Sequence, residues 1–341
     1  LEELNVFSAS SPVPAEKVAY VLGNMHKLVF LEKNAGSLVP MAHQYSVAQR
    51  TWEPFNRDLW DHHSGGKKVD STQKLDWYER CAGCHTTGYD RKTRSFVEAS
   101  IACEHCHGPG TKHAETTKRD DIVNPASLPE TLRIYVCAQC HSRGQSAVDA
   151  LPYPEKFVPG ADLSKIFVFD KPAPGKATDI FWEDGAAKQH HSQFNEFCQS
   201  KHFDNDVACF DCHAVHRFRN VEKPSQKTRL MAFTERYMMH KRSQFVCLRC
   251  HEPASLGYQK FITLKDGSVV DQHTMHPPIV NMSLLQTTSG KEGVSRGLLC
   301  SDCHMPRMER DNSGYNIHSH RFVRDTPETV GKTHAPNACL Q

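Results

Sequence analysis

Six times in this chain two cysteines stand three apart, with a histidine directly after the second. The copies are Cys81–Cys84–His85, Cys103–Cys106–His107, Cys137–Cys140–His141, Cys209–Cys212–His213, Cys247–Cys250–His251 and Cys300–Cys303–His304. Two thiols at this spacing can add across the two vinyl groups of one haem, and the adjacent histidine then ligates the iron from one face. Paired Cys-x-x-Cys knuckles also build tetrahedral zinc sites. Zinc, however, does not require histidine at the fifth position. With 22 histidines in 341 residues, six of six by chance has odds on the order of one in ten million. The motifs therefore read as six covalent haem c sites, each with its own proximal histidine.

Six-coordinate iron needs a second ligand at every haem. Setting aside the six proximal histidines leaves 16 of the 22, and nine methionines are the other supply. Methionine would raise the potential. Histidine supply exceeds demand, so bis-histidine iron of low potential is expected throughout. The distal set expected is His113, His202, His216, His240, His276 and His318. His113 lies six residues past His107, after a Gly-Pro-Gly turn. It is too tightly tethered to cross its own haem and would serve a neighbour, and His216 follows the same logic. His202 and His240 each precede an attachment cysteine by seven residues. His26, His43, His62, His63, His191 and His320 stand in reserve. His105, inside a motif, is not expected to ligate.

The elements that carry these residues are coarse in the sequence. Residues 1–75 hold no motif. Short apolar runs at Val18–Leu22, Lys27–Leu31 and Ser37–Met41, punctuated by Gly23-Asn24 and Asn34-Ala35-Gly36, predict a small antiparallel β-meander. Residues 76–150 carry three haems at close spacing, so these are expected to be near neighbours. Residues 151–185 form a proline-rich connection with a short strand at Lys165 to Phe169. The 72-residue gap from Cys137 to Cys209 is the widest between attachment sites. The join between two haem clusters is placed there. Residues 186–341 carry the other three haems. Helices are predicted over Ala186–His202 and Met231–Lys241, and a hairpin around Gly267.

Hydrophobic residues make up only 38% of the chain. That is lean for a conventional core, and six porphyrin plates would supply the missing apolar volume. The formal charge is +2. Twelve propionates and six ferric cores would bring the oxidised holoprotein to about −4 and the reduced one to about −10. No basic tract appears, so nucleic acid is not an expected partner. No run approaches a membrane span. Haem attachment by this motif happens outside the cytoplasmic membrane, in an oxidising compartment. No signal peptide opens the chain at Leu1, which therefore reads as already processed. Twelve of 14 cysteines lie in motifs, leaving Cys198 and Cys339. These either pair as a disulfide, or Cys339 begins a cut-short seventh motif.

The surroundings of the motifs add a resemblance. Cys81-Ala-Gly-Cys-His-Thr-Thr-Gly-Tyr89, Ala102-Cys-Glu-His-Cys-His-Gly-Pro-Gly110, Val136-Cys-Ala-Gln-Cys-His141, Ser200-Lys-His202 before Val207–His213, and Cys303-His-Met-Pro306 are similar to a family of bacterial multihaem c-type cytochromes. Their haem-packing core is like that of the tetrahaem cytochrome of ammonia oxidisers and of hydroxylamine oxidoreductase. The resemblance covers roughly residues 76–341 and implies a mostly α, haem-dense fold with much irregular structure and stacked haem pairs. It does not fix one role, since the family contains both carriers and enzymes. Two departures stand out. A further motif near the N-terminus is missing, and the chain stops at Gln341 where relatives often continue into Cys-x-x-Cys-His.

The expected function is electron transfer by a periplasmic or extracellular hexahaem wire. Its partners are redox proteins, including other multihaem cytochromes or copies of itself in a conduit or filament. The competing reading is a multihaem reductase for nitrite, hydroxylamine or a related oxyanion. That chemistry needs one open iron, often marked by an altered motif, and no altered motif is present.

Overall fold

The structure is a computed structural model. It describes residues 6–8, 10–23, 27–47, 49–55, 76–173, 175–213, 215–216, 245–256, 260–276, 300–309, 316–324, 328 and 331–332. The predicted helix Met231–Lys241 with His240 lies outside these residues, as do His26, His62, His63 and Cys339.

The N-terminal meander forms as expected. β1 (Tyr20–Leu22), β2 (Lys27–Asn34), β3 (Ser37–Ser46) and β4 (Thr51–Pro54) lie side by side in chain order, each pair antiparallel. The β2–β3 turn runs through Ala35 and Gly36, both at positive φ, the conformation a two-residue hairpin loop demands. Side chains alternate across a strand, so neighbouring residues serve opposite faces. Phe30 packs with Val6, Val13, Leu28, Met41 and Tyr45 on one face. Leu31 packs with Leu38, Trp77 and Ala82 on the other. The register shifts between Val29 and Leu31, opposite Pro40, and a bulge is one of the few places where a strand tolerates proline. Trp77 and Ala82 flank Cys81, so the second face of the sheet is the floor under the first haem motif.

Beyond the sheet the secondary structure is short and mixed. The longest described helix, Glu130–Ala138, has 9 residues, while β2 and β3 have 8 and 10. The expectation of a mostly α chain is thus met only in part: helix and strand are both present, in a largely irregular backbone. Four motifs ride on single-turn helices, Ala82–His85, Cys103–His107, Cys209–Cys212 and Cys300–His304, while Cys137 lies at the end of Glu130–Ala138.

The described chain divides into two compact units. One comprises residues 1–198 with 309–317, the other 199–308 with 318–341. In the first, Tyr153, Leu163, Phe167 and Phe181 of the proline-rich stretch are all buried. Its strand, Phe167–Phe169, pairs antiparallel with Gly144–Ser146. The long helix predicted from Ala186 to His202 is corrected. Only Gln193–Phe197 and Lys201–Asp204 are helical. His191 has φ +60, and the backbone before it is engaged by side chains instead of by a helical ladder. Glu196 accepts from the Ala187 amide at 2.8 Å, and Arg143 Nε donates to the His190 carbonyl at 2.7 Å. In the second unit, Phe261–Thr263 and Val269–Asp271 form the expected hairpin, with Gly267 at φ +82.

Candidate functional site

One helical turn brings the three reactive groups of a motif to the same side. Residues i, i+3 and i+4 share a helix face, and these are the offsets of the two cysteines and the histidine. The His85 amide donates to the Cys81 carbonyl at 3.1 Å, His141 to Cys137 at 3.0 Å, His213 to Cys209 at 2.9 Å and His251 to Cys247 at 2.9 Å. Four motifs are thus closed by the same bond.

The first three motifs touch one another. Cys84 Sγ lies 3.7 Å from the Gln139 carbonyl, and Cys140 Sγ lies 3.9 Å from the Cys84 carbonyl and 3.7 Å from His105 Nε2. Gln139 Nε2 donates to the His105 carbonyl at 3.1 Å. Burial pushes the Cys81 thiol up to about 12. The second unit repeats the theme: Cys247 and Cys300 share a hydrogen bond. Cys198 is half-buried, and burial pushes its thiol up to about 12.

Imidazole pairs supply the test of whether haem fits. An imidazole nitrogen sits about 2.0 Å from a bound first-row metal and its ring centre about 1.1 Å farther, so two rings on opposite faces of one iron have centres about 6.2 Å apart. In the second unit His213 and His320 are 6.1 Å apart with planes at 19°, and His304 and His273 are 6.0 Å apart at 26°. His251 and His202 are 5.8 Å apart at 79°. In the first unit His191 lies 6.4 Å from His85 and 6.3 Å from His141. In each of these pairs a motif histidine has a second histidine ring at about the separation one iron would span.

Protonation fits as well. Burial lowers the pKa of His85, His141 and His202 and lowers His191 further still, with His190 and Arg143 adding to the last. The neutral imidazole is the ligating form. A carbonyl can only accept, so an Nδ1 bonded to one carries the proton and leaves Nε2 for metal. His107 is held this way by Val123 at 2.7 Å, His113 by Lys118 at 2.8 Å, His276 by Thr274 at 2.6 Å, His318 by Met305 at 2.5 Å and His320 by His318 at 3.0 Å.

Of the expected distal residues, His202 is thus brought to a proximal ring, while His216 and His276 are exposed. Of the reserves, His191 and His320 face proximal rings, and His43 lies on β3 of the N-terminal sheet. Spacing arguments passed over His273 and His190. His190 is buried, its ring 4.6 Å from that of His191. Neither sits at a fixed offset from a motif, so counting residues could not find them.

Packing around the first motif yields a prediction. A Cβ on Gly83 would run into the Tyr153 ring, which is buried and anchored by its hydroxyl donating to the Tyr78 carbonyl at 3.3 Å. Gly83→Ala is expected to cost about 1–3 kcal/mol, seen as a lowered thermal midpoint of the holoprotein. An unchanged midpoint would show that Tyr153 can move aside.

Residues 76–151 match the family described as cytochrome c3, and residues 42–108 match cytochrome c554 and c-prime. No curated protein matches the chain. Among solved structures, it resembles the crystal structure of outer cell wall cytochrome OcwA at 21% identity and a TM-score of 0.61, over 95% of this chain and 72% of that one. An undecahaem cytochrome from the S-layer of Carboxydothermus ferrireducens matches at 19% identity and a TM-score of 0.41, over 95% of this chain and 47% of that one. The OcwA likeness is one of fold. The family matches and the attachment motifs support a multihaem c-type cytochrome.

Proposed function

We propose that the chain holds six covalent haems c and passes electrons among them, every iron closed by two histidines. The proximal ligands are His85, His107, His141, His213, His251 and His304. The observation that carries this is the spacing of imidazole pairs. His320 stands opposite His213, and His202 opposite His251, each at a one-iron separation. His191 would close the first or the third haem. An iron with both faces taken conducts electrons and has no position for substrate. The bound haem supplies the redox chemistry, while the protein sets ligand identity, burial and spacing.

The narrower likeness to the haem-packing group of the ammonia oxidisers' tetrahaem cytochrome is part of the same reading, supported by the residues around the first three motifs. So is a place outside the cytoplasmic membrane, at the cell surface, with other redox proteins as partners. Among the described residues no helix is long and apolar enough to cross a membrane.

A haem count tests the reading. Pyridine haemochrome absorbance and intact mass are expected to give six haems per chain, matching the six motifs. A mature protein with fewer would show that some motifs are not attachment sites.

A further inference from the structure

The sixth motif faces a histidine that no spacing argument selects, held by a turn with its own internal clamp. The strand Val269–Asp271 ends in a carboxylate that is only 5% exposed. One oxygen of that carboxylate, Asp271 Oδ1, accepts the His273 amide at 3.0 Å and the Thr274 amide at 2.9 Å. The Asp271 backbone closes the same turn: its amide donates to the His276 carbonyl at 2.9 Å, and its carbonyl accepts from Met275 at 2.8 Å. Met275 is driven to φ +58, a conformation a non-glycine residue keeps only where its surroundings over-determine it. Such a turn fixes the backbone direction of His273, whose ring lies 6.0 Å from that of His304 with the planes at 26°.

We propose that His273 is the second axial ligand of the haem held at Cys300, Cys303 and His304, and that Asp271 is the residue that positions it. This rests on the haem reading above. It takes the place of His276 in the sequence-derived set, since it is the His273 ring that lies 6.0 Å from that of His304. The clamp matters because a ligand on a loose turn would lose conformational freedom on every binding event. A preformed turn has already lost it. The hydrogen bonds need an oxygen acceptor at Oδ1, not a charge, so asparagine can keep them and alanine cannot.

The test uses the oxidised holoprotein with all haems attached, read by EPR and by carbon monoxide binding after reduction. His273→Gly is expected to turn one haem of the six motifs high-spin, to let that haem bind carbon monoxide, and to return to low spin when imidazole is added. His273→Met guards against failure of the glycine variant to mature. It is expected to stay low-spin while showing a sulfur-to-iron charge-transfer band on a single haem. Asp271→Ala is expected to give a partial high-spin signal that Asp271→Asn does not. His276→Ala is expected to leave every haem low-spin. The proposal is overturned if His273→Gly keeps all its haems low-spin, or if His318→Ala opens the sixth iron in its place. A high-spin haem in the unsubstituted protein would instead bring down the bis-histidine reading itself.

Discussion

Replacing both Cys137 and Cys140 with alanine is expected to remove one haem and to unfold the first unit well below the melting point of the intact protein. The third motif touches both of the other motifs of that unit and the segment after it. Its helix buries Ile134, Tyr135, Val136 and Ala138. Cys140 reaches the first motif at Cys84 and the second at His105, and the His141 carbonyl accepts from the Phe194 amide at 2.9 Å. A porphyrin fixed here would pack against all of these. Its loss leaves a void that short helices and loops cannot collapse to fill. The expected destabilisation exceeds the roughly 4–5 kcal/mol beyond which a point change is exceptional. Intact mass and a thermal melt decide it. Five haems with an unshifted melt would show that the first unit folds without its third plate.

His202→Met is expected to raise the potential of one haem and leave the others in place. His202 lies 5.8 Å from His251, against Phe322 at 4.4 Å. Ser200 caps the short helix that presents it, accepting from the Phe203 amide at 3.3 Å. A thioether favours ferrous iron relative to imidazole, so the shift is upward, on the order of 0.1 V within the roughly 0.8 V that axial ligands span. Optical redox titration reads it as one component displaced from the rest. Acid gives an independent handle. Burial lowers the His202 pKa from its ordinary value of 6.5, so the neutral ligand persists as pH falls through that value and is lost only below it. Six unshifted potentials in the methionine variant would show that His202 does not touch iron.

Much of the site was legible because covalent chemistry imposes fixed offsets. Two thiols and a histidine on one helical turn must be close in sequence, and the amide of the histidine bonds back to the first cysteine's carbonyl in four of the motifs. The N-terminal meander was legible for a similar reason: the apolar run Lys27–Leu31 and the Asn34-Ala35-Gly36 turn are local. The second face of each iron is different. A residue for that face can be brought by the fold from any distance, as the His320 ring is to within 6.1 Å of His213, so offset carries no information about it. The helix predicted through His190 and His202 failed on the same ground. Apolar periodicity was present, but Arg143 and Glu196, both distant or buried partners of that backbone, took its hydrogen bonds. His273 was invisible because the signal lies in Asp271, an aspartate two residues ahead in a turn, which reads in sequence as an ordinary loop residue.

The most direct test of the central claim, that every iron is closed by two histidines, is spin-quantified EPR of the oxidised protein set against its haem content. The account predicts that low-spin ferric signals sum to the full complement of one haem for each of the six motifs, with no high-spin component. A stoichiometric high-spin ferric signal in the unsubstituted protein would contradict it, exposing an open iron and moving the chain from electron carrier to reductase.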